Sequence, residues 1–188
     1  MDGQNFLDSI RHLFQYYRQL GEKALAQIGD EHLHWQPSPE SNSVAIIVKH
    51  LSGNMLSRFT DFRTSDGEKP WRNRDAEFEN DYAGKNELLA AWNAGWDCVA
   101  AALDALKAAD LDEIVYVRNE GHTVTEALHR QLAHYPYHIG QLIYLCRLVA
   151  GAEWQSLSIP KGGSQAFNAD KFGKEKARRI FTDKEKRE

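Results

Sequence analysis

Two histidines one helical turn apart have the type and spacing to bind a metal ion. His134 and His138 stand at positions i and i+4 of a segment with a helical pattern of apolar residues. Side chains four residues apart on an α-helix project from one face, so both imidazoles can reach the same ion. Chance alone yields about 0.3 such pairs in a chain with this histidine content, so other roles in a helix interior stay open.

A third histidine, His50, lies in a second apolar segment beside Ile47 and Leu51, and it is expected to face the interior. His134 adjoins the apolar stripe of its own segment and is expected to face inward as well. Because buried imidazoles without partners are costly, a shared metal ion explains all three inward histidines together. Three neutral imidazoles suit zinc, nickel, copper or iron and leave positions open for water or substrate. The alternative for His50 is a core histidine bonded to a backbone carbonyl.

The residues around the pair narrow the chemistry. Position 135 is Tyr rather than the Glu of a zincin motif, which disfavours a metalloprotease. We predict that Gln141 and Asn54 support catalysis by orienting the reacting group; for Gln141, a polar residue at the edge of the site is the alternative. The chain contains no motif typical of phosphate loops, dinucleotide sites or serine-hydrolase elbows.

Four segments with a helical apolar period must position these residues. Thr123 and Glu126 form a capping-box pattern at the start of the last segment, Gly151 is expected to end it, and Pro136 predicts a kink within it. Asn42 or Ser43 is the expected N-cap of the second segment. The pattern predicts an all-α fold, a four-helix bundle, with helices over about residues 4–28, 43–62, 85–109 and 123–150.

Two connections and a tail complete the predicted architecture. The polar stretch at about residues 64–80 is either an ordered loop or a mobile flap. Within residues 110–122, a short β-type run followed by a turn predicts a small hairpin or an extended crossover before the last helix. We assign the bundle to residues 1–151 and an extended basic tail, not a separate domain, to residues 152–188. The tail after about residue 165 is expected to be dispensable for folding.

Composition and charge exclude several function classes. The chain has 188 residues and a net charge of −4, but residues 161–188 carry +4 and residues 1–160 carry −8. An acidic body is a poor nucleic-acid surface, and the mixed charges of residues 183–188 favour a solvated tail. No stretch of 18 apolar residues and no signal-peptide pattern occurs, and Cys98 and Cys146 fall in helical patterns. We therefore expect no membrane contact, no nucleic-acid partner and a cytoplasmic location.

The segments "AIIVKHLSGNM" and "LAHYPYHIGQLIYL" resemble the DinB/YfiT-like superfamily of metalloenzymes. That family has a histidine on its second helix and H-x-x-x-H, often followed by G-Q, on the last bundle helix. The pattern maps to His50, His134 and His138 here, with Gly140 and Gln141 following. The preceding stretch "HWQPSPESNS" is also similar to the family's lead-in to helix 2, and the resemblance covers about residues 4–150.

The resemblance implies an up-down-down-up four-helix bundle, a homodimer, and a divalent metal bound by the three histidines. Zinc or nickel is expected first, with iron, manganese and copper as alternatives. Relatives include transferases and isomerases that use low-molecular-weight thiols such as bacillithiol or mycothiol. The expected function is therefore a metal-dependent thiol S-transferase, and the alternative is a non-catalytic metal-binding bundle that serves as a stress-related scaffold or sensor. The homodimer is also favoured by wide apolar faces, with Trp92 and Trp96 one turn apart.

Overall fold

Helices dominate the structure, a computed structural model that describes residues 2–182. The predicted all-α character is confirmed, with one small two-stranded sheet added to the helices. The mixed-charge segment 183–188 lies outside the described residues. The elements of the described part are α1 (Gly3–Leu25), α2 (Val44–Phe59), α3 (Lys85–Ala105), β1 (Ile114–Val117), β2 (Glu120–Thr123), α4 (Val124–Ala150) and α5 (Ser164–Phe172).

The four long helices bury one apolar core. Helix α1 packs against α4, and α2 packs against both α3 and α4. Phe14, Trp96 and Tyr135 form an aromatic cluster at the centre, with ring centroids 5.7 to 6.4 Å apart. Trp92 and Trp96 are only 1% and 2% exposed within the single chain. They therefore provide no exposed apolar face, and this part of the argument for a homodimer is wrong.

Capping side chains set the starts of the helices that carry the histidines. Ser43 Oγ accepts the Ile46 N–H at 3.1 Å, which satisfies a donor in the first turn of α2. At α4, Thr123 and Glu126 accept each other's backbone N–H groups at 3.1 and 2.8 Å, so the predicted capping box is confirmed.

The ends of the helices differ from the pattern by a few residues. Helices α1, α2 and α3 end three or four residues before the predicted ends; Thr60 turns to extended backbone after α2, and Asp61 then has a φ of 48°. Helix α4 ends at Gly151, as predicted, with a φ of 54°. It continues through Pro136, so the proline does not interrupt the helix.

The connection before α4 is a β-hairpin, which confirms the hairpin alternative. Strands β1 and β2 pair antiparallel in the register Val115↔His122. Arg118 and Asn119 form the turn with φ angles of 56° and 61°, and the Asp66 carboxylate accepts both of their N–H groups at 2.8 Å. These bonds hold a non-glycine turn in the left-handed region and fix the hairpin on the segment after α2.

Two other segments are more regular than the sequence pattern indicates. The connection between α2 and α3 contains a short 3₁₀ helix, Asp75–Phe78, and buries Lys69 and Glu77, so it is an ordered loop. The tail is not extended throughout, because α5 forms within it. Helix α5 buries no residue, so no apolar stripe marks it in the sequence. Among residues 2–182, no helix combines the length and the apolar character needed to cross a bilayer.

Candidate metal centre

The candidate site lies where two polar stripes meet on α2 and α4. Each stripe repeats every three or four residues, so its side chains share one helix face. On α2 the stripe consists of His50, Asn54 and Arg58, and on α4 it consists of Gln131, His134 and His138. All six line a cavity of about 350 Å³, here called the histidine cavity.

The three histidines that the sequence singles out converge on one point. His134 Nε2 lies 3.3 Å from His50 Nε2 and 3.1 Å from His138 Nε2. One ligand nitrogen from each of the three rings lies within 4.8 Å of the other two. Nitrogens bound at 2.0–2.1 Å to one ion are separated by about 3.0 to 3.4 Å when they are adjacent ligands. The three imidazoles can therefore hold a metal ion without large movement of either helix.

Acceptors behind two of the rings set their tautomers. Glu77 Oε2 lies 2.9 Å from His50 Nδ1, and Gln141 Oε1 lies 3.0 Å from His138 Nδ1. Because a carboxylate or an amide oxygen can only accept, the proton of each ring is assigned to Nδ1. The Nε2 lone pairs of both rings then point toward the shared centre, as metal ligation requires. Phe78 stacks on the His50 ring at a centroid distance of 5.3 Å and adds to its packing.

Glu77 is itself held by Arg72. Arg72 Nε donates to Oε1 at 2.7 Å and Nη2 donates to Oε2 at 2.9 Å, and both side chains are less than 10% exposed. Burial alone raises the pKa of Glu77, but the hydrogen bonds from His50 and Arg72 outweigh it and hold the pKa below its usual value. The carboxyl group is therefore charged and has no free oxygen with which to act as a base.

Gly53 on α2 makes room for this carboxylate. A Cβ placed on Gly53 lies 2.3 Å from Glu77 Oε1, which is closer than any real contact. A side chain at position 53 would force the Glu77 carboxylate to shift, so glycine leaves it free to reach His50 across this face of α2. Gly53 thus contributes to the site without touching a histidine.

Burial and mutual repulsion favour the neutral form of His134 and His138. Burial lowers the pKa of His134 to about 3, helped by the positive charge that His138 and His50 would carry. Burial also lowers the pKa of His138, with His50 as the next cause and the hydrogen bond to Gln141 opposing it. Neutral rings are the form that binds metals, so protons do not compete for these two ligands near neutral pH.

The two residues predicted to support catalysis lie in different places. Asn54 lines the histidine cavity, and its Oδ1 accepts the Tyr135 hydroxyl at 3.2 Å. Gln141 lies behind His138 as its Nδ1 partner, so it positions a ring rather than facing a bound molecule. Glu77 and Arg72 could not be identified from the sequence, because they lie in an irregular connection whose residues do not repeat at a helical spacing. Arg58 was also missed, although its spacing of four residues from Asn54 would have placed it on the stripe.

Comparison with known proteins gives a family for the chain. Residues 2–163 match the sequence profile of a family described as a protein of unknown function, DUF1572. The chain belongs to this family. The DUF1572 match runs from α1 through α4, includes all three histidines with Glu77 and Gln141, and ends just before α5. No curated protein gives a significant match to the chain.

Proposed function

We propose that the chain is a divalent-metal-dependent enzyme of the DinB-like type, a thiol-dependent S-transferase that acts at His50, His134 and His138. One observation carries the proposal: three Nε2 atoms converge on the wall of a 350 Å³ cavity. In residues 2–182 this ligand group has no fourth histidine, cysteine or carboxylate. A three-residue set that opens on a cavity is typical of catalytic rather than structural metal sites.

The donor set narrows the choice of metal. Neutral imidazole nitrogens suit zinc or nickel, and iron, manganese and copper are alternatives. When bound, such an ion supplies Lewis acidity, which lowers the pKa of a thiol or a water in its open positions. A scaffold or sensor that uses metal only to join α2 to α4 would have no need of a cavity beside the ion.

The chain's own residues hold and orient the reactants. Glu77 and Gln141 fix the rings of His50 and His138 through their Nδ1 atoms, and the Asn54 amide faces the cavity where a thiol or an electrophile would lie. In the transfer, the thiol loses its proton to solvent, its sulfur bonds to an electrophilic carbon, and the leaving group departs with its electron pair. Glu77 is fully engaged and would not serve as a base, and a thiol with a lowered pKa would need none.

A matrix of thiols and electrophiles tests this proposal. The metal-loaded protein is assayed with bacillithiol, mycothiol, glutathione and cysteine against a panel of electrophiles, beside the His138→Ala variant. The control is His32→Ala, which removes a histidine from the loop after α1. We expect conjugation that requires metal, disappears in His138→Ala and survives in His32→Ala. Absence of turnover with every pair, together with a fourth protein ligand on the metal, would contradict the enzyme proposal.

The finer architecture belongs to the same proposal. The packing of α1 on α4 and of α2 on α3 and α4 supports an up-down-down-up four-helix bundle. The homodimer now rests on the family resemblance, since both tryptophans are buried within the chain. Light scattering at micromolar concentration should report twice the chain mass of 21.4 kDa, and a stable monomer would contradict it.

A further inference from the structure

The histidine cavity carries an unusual amount of positive charge. Guanidinium groups from α2, from the connection after it, from the hairpin turn and from α4 all line the cavity beside the metal ligands. They belong to Arg58, Arg72, Arg74, Arg118 and Arg130. A concentration of arginine in one concave surface is costly unless anions balance it.

Two carboxylates contact this group and balance part of its charge. Glu77 forms the paired hydrogen bonds with Arg72. Glu68 Oε2 is shared, since it lies 3.0 Å from Arg118, 3.2 Å from Arg58 and 3.6 Å from Arg72. Neither carboxylate lines the cavity, so both approach the arginines from outside it.

Two of the arginines have no carboxylate partner within residues 2–182. Arg74 lies over the Phe78 ring at 5.4 Å, and Arg130 Nη1 lies 3.4 Å from His122 Nε2; neither forms an ion pair in this part of the chain. Both residues are exposed. Their guanidinium groups are therefore available to a bound anion.

The positive charges also act on one another. Burial lowers the pKa of Arg58, and the positive charges of Arg72 and Arg130 lower it further. The repulsion shows that these groups share one poorly screened region. An anion placed among them would relieve it.

Gln131 supplies a second and independent sign of a ligand. Its side chain is 4% exposed and lines the cavity beside His134, yet its Oε1 atom has no hydrogen-bond partner in the described residues. A buried acceptor left unpaired in this way is destabilising. A molecule that enters the cavity and carries a hydrogen-bond donor would satisfy it.

We propose that the histidine cavity takes a small organic anion, whose phosphate or carboxylate group binds Arg74 and Arg130 while a neighbouring donor reaches Gln131. This proposal rests on the proposed function, because it places the reacting part of the same molecule at the three histidines. The planar fork of arginine matches phosphate and carboxylate oxygens in pairs, which a lone lysine does not. The reactant that binds beside the histidines is therefore anionic.

Binding to the metal-free protein tests the anion site apart from the metal. Inorganic phosphate and succinate are titrated by calorimetry against a chloride background of equal ionic strength. Arg130→Gln and Arg74→Gln should each weaken phosphate binding roughly tenfold, the loss of one charge-assisted contact. Both side chains are exposed, so the variants should fold. Arg18→Gln, which removes an arginine that already contacts Glu22 and Asp97, is the matched control and should leave binding unchanged.

The outcomes separate this inference from the proposed function. Arginine variants that keep full metal content but lose phosphate or succinate affinity support the anion site. Normal metal binding with no anion binding beyond chloride overturns the anion site and leaves the proposed function standing. Phosphate binding in a chain that takes up no metal overturns the proposed function instead. An equal loss of affinity in Arg18→Gln would show only a general charge effect and would also overturn the anion site.

Discussion

Two cavities of similar size differ sharply in how their charges are balanced. The histidine cavity has about 350 Å³, and a cavity between α1 and α3 has about 440 Å³. In the α1–α3 cavity, Arg18 contacts Glu22 at 2.9 Å and Asp97 at 2.7 Å, and Arg11 also contacts two carboxylates. In the histidine cavity, His134 Nε2 lies within 3.3 Å of the Nε2 atoms of both His50 and His138, and Arg74 and Arg130 have no carboxylate partner in the described residues.

The difference shows that volume alone does not indicate a site. The larger cavity is a gap between two helices whose charged groups are paired at its rim, although Arg11 Nε and Trp96 Nε1 beside it have no hydrogen-bond partner in the described residues. The smaller one differs in its three converging imidazoles and its excess positive charge, and both are costly unless something binds there. The unbalanced groups, rather than the space, indicate where a ligand belongs.

Among residues other than the three histidines, the largest expected effect comes from Glu77. Glu77→Gln removes the charge that fixes the His50 tautomer, and loss of such a partner typically weakens metal binding by about 10- to 100-fold. Glu79→Gln is the matched control, since it makes the same change at an exposed position of the same connection. Gly53→Ala should act in the same direction as Glu77→Gln, because its methyl group displaces the Glu77 carboxylate.

Competition with a chromophoric chelator measures the zinc affinity of the three variants, Glu77→Gln, Glu79→Gln and Gly53→Ala. Because Glu77→Gln leaves the buried Arg72 with Glu68, 3.6 Å away, as its one described charge partner, circular dichroism should first establish that the variant is folded. Equal zinc affinity in Glu77→Gln and Glu79→Gln would show that the ring of His50 needs no support from the connection.

A second prediction concerns the stability of the metal-free protein at acidic pH. The pKa of His134 is about 3 in the folded chain and 6.5 in the unfolded one, so the folded chain binds fewer protons between these values. The stability of the metal-free protein should therefore fall as the pH decreases from 6.5, by up to about 1.4 kcal/mol per pH unit for each such histidine. Urea unfolding from pH 6.5 to 4.5 measures this slope above the range in which Glu77 is expected to titrate.

His134→Gln is the matched variant for that slope. It removes the titrating ring but keeps a polar side chain, so the pH dependence should become shallower. His138 lowers stability in the same direction, which leaves part of the slope in place. A slope identical to that of the native chain would show that His134 is not held neutral.

A smaller effect is expected in the α1–α3 cavity. Arg18→Gln removes ion pairs whose partners are well exposed, so it should cost at most about 1 kcal/mol of stability. Zinc affinity should stay unchanged, because no metal ligand lines this cavity. Urea denaturation measures the loss of stability, and competition with the chelator measures the zinc affinity. A loss of zinc affinity in Arg18→Gln would show that the two cavities are coupled and would contradict the distinction between them.

The smallest effect is expected from the tail, which contributes to neither cavity. Ending the chain at residue 163 removes α5, which buries no residue, and the contact of Phe181 with Tyr16. The melting temperature should stay within about 2 °C of the native value, since even 1 kcal/mol shifts a chain of this size by only 2–4 °C. Aggregation or loss of the cooperative melt would show that the tail stabilises the body.

The histidines on the helices could be predicted, because the spacing of residues along a helix determines the face from which their side chains project. The four-residue step from His134 to His138 placed both rings on one face, and the apolar neighbours of His50 turned that ring inward. The cap at Thr123 fixed where the last helix begins. Local patterns and tertiary packing agree in these segments, so the three histidines and the helices that carry them could be found from the sequence.

The supporting residues could not be found in this way, because nothing local marks them. Glu77 and Arg72 lie in a polar connection, where buried charges have the same pattern as solvated ones. Their place depends on Gly53, which is distant in sequence and admits the carboxylate only once α2 and the connection have packed. Helix α5 was missed for a different reason, since a helix that buries nothing has no apolar stripe.

Metal content is the most direct test of the three-histidine centre. The native chain, the double variant His134→Ala/His138→Ala and the control His12→Ala/His32→Ala are dialysed against zinc or nickel, and bound metal per chain is determined by elemental analysis. We expect one ion per chain in the native and control proteins and close to none in the double variant. Full metal content in a folded double variant would contradict it, because the ion would then lie elsewhere in the chain.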